Sequence, residues 1–153
     1  MAKVWKISEA ASLGFHAIAA LAPEPDQMLS TGEIASRLEV SAAHLSKVLQ
    51  RLAKADLVRA TRGPRGGFML EKNPEKITLL EVYEAIEGPL NSIDCLFSTP
   101  ICGGQKCIMG GLLEKGNREI REYLEKTRLS DLGNVYSIKK EEEKNEKKAD
   151  NRN

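Results

Sequence analysis

All three cysteines of this 153-residue chain fall in one short window, with six residues between Cys95 and Cys102 and four between Cys102 and Cys107. Thiolates are soft donors, and three of them in a segment that also holds Pro100, Gly103 and Gly104 can wrap a small inorganic ligand. An iron–sulfur cluster and zinc both suit such donors. Spacing leaves those two open, beside three unligated thiols. There is no CxxC pair, a structural zinc ordinarily takes four protein ligands, and His16 and His44 lie far upstream. An odd number of clustered cysteines does not read as a disulfide framework. A second concentration of chemistry lies between residues 41 and 67, where Lys47, Arg51, Lys54, Arg59, Arg62 and Arg65 face Asp56 alone, in a chain of formal net charge +1. One basic stretch in a near-neutral chain is a surface for a polyanion.

The elements that must position these groups are read from apolar periodicity. Ile7 to Leu21 carries apolar residues at helical spacing behind a Ser8 cap and stops before Pro23 and Pro25. Ser30-Thr31 opens a short second helix through Leu38, and the break Glu39-Val40-Ser41 separates it from a third. In the third, Leu45, Val48, Leu49 and Leu52 repeat at three and four, leaving Ser46, Lys47, Gln50, Arg51 and Lys54 on a polar, basic face. Leu57 to Arg62 and Phe68 to Leu70 read as strands flanking Gly63-Pro64-Arg65-Gly66-Gly67, a hairpin with a basic tip. Thr78 caps a further helix that Gly88-Pro89 ends; a loop of about twenty residues then holds the cysteines, a length that is commonly functional. From Ile108 to about Leu129, Met109, Leu112, Leu113, Ile120, Tyr123 and Leu124 trace a long stripe that suits a partner chain, while Lys139 to Asn153 reads as a solvated charged tail.

Two short helices, a three-residue turn and a hairpin make a winged helix-turn-helix, so the expected fold is mainly α with a small β wing and a long C-terminal dimerisation helix. The division expected is a DNA-binding domain over 1–90, a cysteine loop over 91–107, a dimerisation helix and end segment over 108–136, and a disordered tail over 137–153. Base contacts are assigned to Ser41, His44, Ser46 and Lys47, and backbone contacts to Arg51, Arg62 and Arg65, with Gly63, Gly66 and Gly67 letting the wing approach the duplex. His16 reads as structural. An aromatic content of 5% favours helices packed by aliphatic residues over an aromatic-rich sheet protein. Gly103-Gly104 and Gly110-Gly111 follow no strand and precede no Gly-Lys-Ser/Thr, which excludes a phosphate loop. No nucleophile–base set or paired carboxylates stand out, so an enzyme is not expected. Neither an apolar run of membrane-spanning length nor a secretory leader is apparent, and the expected location is the cytoplasm.

The segments Ile34-Ala35, Leu45-Ser46-Lys47-Val48-Leu49-Gln50-Arg51-Leu52, Leu57-Val58, Arg62-Gly63-Pro64-Arg65-Gly66-Gly67-Phe68 and Thr78-Leu79-Leu80-Glu81-Val82, followed by a three-cysteine loop and a long helix, form a specific combination. Over roughly residues 1 to 130 the chain resembles the IscR/NsrR-type family of bacterial winged-helix transcription regulators. That resemblance implies a homodimer with crossing C-terminal helices that reads a palindromic operator in double-stranded DNA. It also implies a 2Fe-2S or 4Fe-4S cluster on Cys95, Cys102 and Cys107 that gates DNA binding. The fourth ligand stays open: Gly110 stands where IscR-type members have a His, the NsrR-type Asp aligns near Ser12, and Glu9 is the nearest carboxylate on that helix. A regulator without metal, responding to thiol oxidation, a metabolite or a protein, is the alternative.

Overall fold

The computed structural model describes residues 7–102, 107–132 and 135–136. The charged tail from Lys139, the N-terminal residues before Ile7, and Gly103 and Gly104 of the cysteine loop lie outside them. Helices α1 (Glu9–Leu21), α2 (Thr31–Leu38) and α3 (Ala42–Lys54) are followed by strands β1 (Val58–Thr61) and β2 (Gly67–Leu70). Helices α4 (Leu79–Glu87) and α5 (Leu112–Lys126) complete the order, with single 3-10 turns at Pro74–Lys76 and Leu129–Leu132. This is a mostly helical winged helix-turn-helix, as the periodicity predicts.

The helix starts are set by side chains that accept orphan N–H groups. Ser8 accepts from the Ala11 N–H at the head of α1. Ser30 and Glu33 form a reciprocal capping box on α2, and Thr78 and Glu81 form another on α4. Between α2 and α3 the chain reverses through Glu39 in the left-handed region, and Ser41 then caps α3 by accepting from the His44 N–H at 3.5 Å. Ile34, Leu45, Leu49 and Leu52 are fully buried against Ala17, Ile18 and Leu21 of α1, so the turn is fastened from beneath by aliphatic side chains. Gly14 lets α1 approach α4: a Cβ there would lie 3.1 Å from Ile86 Cγ1.

The hairpin pairs Val58 with Leu70 and Thr61 with Gly67. Its root is held by a second pairing that periodicity did not disclose, in which Leu29 and Phe68 exchange backbone hydrogen bonds of 2.9 and 2.8 Å. At Gly67 a Cβ would sit 2.3 Å from the Leu29 carbonyl oxygen, so this close approach requires glycine.

The last helix is shorter than expected at both ends. Ile108 to Gly111 form turns rather than helix, with Gly110 at φ 56° and Gly111 as an N-cap without a side chain, so α5 starts at Leu112. It stops at Lys126, because the chain pairs back onto the start of α4: the Leu79 N–H donates to the Thr127 carbonyl and the Leu129 N–H to the Ile77 carbonyl. Leu124 and Leu129 enter the same core as α1, α3 and α4.

Candidate nucleic-acid interface and cysteine loop

The outward face of α3 follows from which residues its core stripe leaves over. Ala43, Lys47, Gln50 and Lys54, at steps of four, three and four, are all exposed opposite Leu45, Leu49 and Leu52. Ser41 is exposed at the cap. Ser46 is half-buried at the edge of this face, and its hydroxyl accepts from Gln50 Nε2 at 3.4 Å. His44, also half-buried, turns toward α1, with Nδ1 at 3.5 Å from Glu9 Oε1. Arg51 is held elsewhere: its Nη1 donates to the Ile86 carbonyl at 3.2 Å, which satisfies one of the orphan acceptors at the end of α4.

In the wing, Arg59 and Arg62 have different fates although they lie three residues apart. Arg59 makes a two-pronged contact with Glu71, Nε and Nη2 each at 2.8 Å from a carboxylate oxygen. The hydrogen bond and charge of Glu71 push the guanidinium of Arg59 up, and the bond from Arg59 holds the Glu71 carboxyl below its usual range. Arg62 and Arg65 flank the tip, exposed, with no ion pair among the described residues. The tip is closed by the Gly66 N–H donating to the Gly63 carbonyl, and a Cβ at Gly66 would lie 2.2 Å from the Thr61 oxygen. The hairpin thus spends one arginine on its own frame and presents two at its end.

The cysteines are differently placed. Cys95 and Cys107 are half-buried, Cys102 is exposed, and the Phe97 N–H donates to Cys95 Sγ at 3.5 Å. Among the described residues no three His, Cys, Asp or Glu side chains converge as metal ligands, so the three thiols suit a soft metal in type but are not gathered in this arrangement. Of the candidate fourth ligands, Glu9 faces His44, and Ser12 lines an open cleft of about 620 Å³ with Glu9, His16 and Arg37. His16 borders that cleft and is hydrogen-bonded through Nδ1 to the Tyr136 hydroxyl.

Three side chains that sequence reasoning missed hold the entry to this loop. Glu84 accepts the Leu90 N–H at 3.0 Å, Arg121 of α5 donates to the Leu90 carbonyl, and Asn117 Nδ2 donates to the Ile93 carbonyl at 2.7 Å. Nothing in the sequence marks them, because their partners are backbone groups. Beyond this entry the surface turns apolar: Phe97, Ile101, Ile108, Leu112 and Tyr123 are exposed, Ile108 by 90%. No helix among the described residues is long and apolar enough to cross a membrane.

Comparison with known proteins places this architecture. A family model described as Rrf2, iron-dependent transcriptional regulator, matches residues 7–134. The HTH-type transcriptional regulator IscR of Cereibacter sphaeroides is 30% identical over 110 residues, covering 70% of this chain and 71% of that protein. The provisionally assigned HTH-type regulator BadM of Rhodopseudomonas palustris is 37% identical over 82 residues, and that match spans 54% of this chain and about half of the relative, 53%. Among solved structures, CymR, the global cysteine regulator of B. subtilis, superposes with a TM-score of 0.72 at 26% identity over 86% of this chain and 98% of its own. IscR of T. potens superposes with a TM-score of 0.65 at 26% identity, over 84% and 85%. Regulators of this kind bind DNA through the winged helix and are not enzymes. The chain belongs to the Rrf2 family of transcription regulators.

Proposed function

We propose that this regulator acts in the cytoplasm as a homodimer on a palindromic operator in double-stranded DNA, and that its cysteine loop senses the signal. The observation that carries the reading is the pairing of an outward face on α3, bearing Ser46, Lys47 and Gln50, with a wing that ends in Arg62 and Arg65, on one shared core. An α-helix of this kind fits the major groove, where Ser41, Ser46 and Lys47 would meet base edges, while the wing guanidiniums would neutralise phosphates. His44 would join the base contacts by leaving Glu9. Arg51, which gives one N–H to Ile86, would make its backbone contact with the remaining N–H groups. Residues 7–90 form the DNA-reading part in this proposal. The exposed apolar side chains from Phe97 to Tyr123 supply the surface a second copy would cover.

Cys95, Cys102 and Cys107 would hold an iron–sulfur cluster, whose chemistry is reactive iron and sulfide. The loop must close to bring the thiols together. Closure would pull on residues 90–93, which Arg121 and Asn117 tie to α5 and Glu84 ties to α4. The end of α4 in turn accepts from Arg51 of α3. This chain of contacts joins the loop to the recognition helix through named atoms, and a signal moves DNA affinity only as far as it distinguishes the two arrangements. A second reading, a thiol-responsive regulator without metal, is favoured by the ungathered cysteines and by the likeness to CymR.

Anaerobic purification with iron, acid-labile sulfide and zinc measured per chain separates the two. Iron with sulfide, lost together in Cys102→Ser, is the expected result; metal-free protein whose DNA affinity follows reversible thiol oxidation would install the second reading. For the interface, Arg65→Ala should weaken binding alike on many sequences and lower the salt slope by about one unit. An unchanged slope would remove Arg65 from the contact set.

A further inference from the structure

Gln50 and Arg51 are neighbours on the polar side of α3. Both are exposed, but their side chains are engaged differently. Arg51 donates one N–H to the Ile86 carbonyl at the end of α4, whereas Gln50 stands at the centre of the outward face, between Lys47 and Lys54. Its amide is also oriented, because Nε2 donates to Ser46 Oγ one turn earlier.

A primary amide has two N–H groups. When the one anti to the carbonyl oxygen is spent on Ser46, the remaining N–H and Oε1 lie side by side as a donor–acceptor pair. That pair matches adenine in the major groove, with N7 accepting from Nε2 and the N6 amino group donating to Oε1. Guanine offers two acceptors there, so Oε1 would meet O6 without a proton between them. Ser46 reduces the rotamer freedom lost when the long side chain docks.

We infer that Gln50, oriented by Ser46, is a specificity-determining residue that selects adenine at one position of each half-site. The inference rests on the DNA-reading role proposed for α3. The test is selection of bound duplexes from a random pool by the full chain and by Gln50→Ala, Gln50→Glu and Ser46→Ala, followed by anisotropy titration of the selected duplex and its single-base variants. Gln50 is exposed, so its variants should keep the wild-type melting curve, and circular dichroism checks that half-buried Ser46→Ala is folded as well.

The expected wild-type motif has an adenine that Gln50→Ala no longer requires, with discrimination there falling about 5- to 100-fold while the salt slope stays unchanged. Gln50→Glu, which keeps only acceptors, should shift that position toward cytosine, whose N4 amino group donates. Ser46→Ala should retain the preference in weakened form. A Gln50→Ala motif identical to wild type, with equal discrimination at every position, overturns the inference while leaving the DNA-reading role standing. Failure of the wild-type chain to select any motif removes both.

Discussion

Leu49 in α3 and Ile108 ahead of α5 are aliphatic side chains of the same size, yet one is fully buried and the other 90% exposed. The contrast extends to their surroundings. Around Leu49, Val48, Leu45 and Leu52 close on α1 and α4, and the starts of α2 and α4 carry reciprocal caps. Close to Ile108 in the sequence are exposed Ile101 and Leu112, three thiols that do not converge among the described residues, and a helix start with no capping side chain. The winged unit completes its own packing within one chain. Among the described residues, the loop and the outer side of α5 leave apolar side chains uncovered.

That contrast can be broken from either side. Leu49→Ala should cost about 2–5 kcal/mol, the range for truncating a fully buried leucine, and denaturant unfolding would read it as a lower midpoint at unchanged slope. A loss well under that range would mean that the winged unit is packed more loosely than its burial implies. Ser30→Ala removes the hydroxyl half of the α2 capping box, while the residue-30 N–H can still donate to the Glu33 carboxylate, and should cost about 1 kcal/mol by the same measurement. Ile108→Ser should leave the unfolding midpoint of the monomer nearly where it is and act on association, lowering the mass seen by sedimentation at equal concentration. If the monomer itself melts early in Ile108→Ser, then Ile108 packs within its own chain and the contrast fails.

The smallest effect concerns acid. Glu33 is held below its usual range by hydrogen bonds from Ser30, and Glu71 by the hydrogen bond from Arg59. A carboxyl with a lowered folded value favours the folded state above its unfolded value and loses that contribution as pH falls through the folded one. Both groups are exposed, so water screens the effect. Titrating thermal stability downward through the carboxylate range should therefore show a shallow loss in the wild type, and a flatter one in a Glu33→Gln, Glu71→Gln double variant.

How much of this was legible in the sequence depends on where each determinant's partner lies. The starts of α1, α2 and α4 were readable because Ser8, Ser30 and Thr78 act on N–H groups three residues away. The wing was readable from its glycines and alternating strands. The start of α5 was not, since a helical stripe ran through Ile108 and Met109 and outweighed the turn at Gly110-Gly111. Arg51 was readable as a cation but not as a donor to Ile86, because a carbonyl 35 residues away leaves no trace in residue type. The same holds for Arg121 and Asn117. The cysteines announced their chemistry by type and proximity, while whether three thiols meet at one point depends on the path of a loop.

The bridge between Leu29 and Phe68 bears on how tolerant an operator can be. It joins the residue just before the Ser30 cap to the inner strand of the hairpin, so the helix-turn-helix and the wing share one backbone frame. The gap between groove-facing side chains and wing cations is then a fixed length within each chain. In the proposed homodimer, the gap between two copies would instead be set by how their surfaces meet. A base pair inserted inside one half-site should be rejected outright, whereas one inserted between half-sites tests only how the two copies are joined.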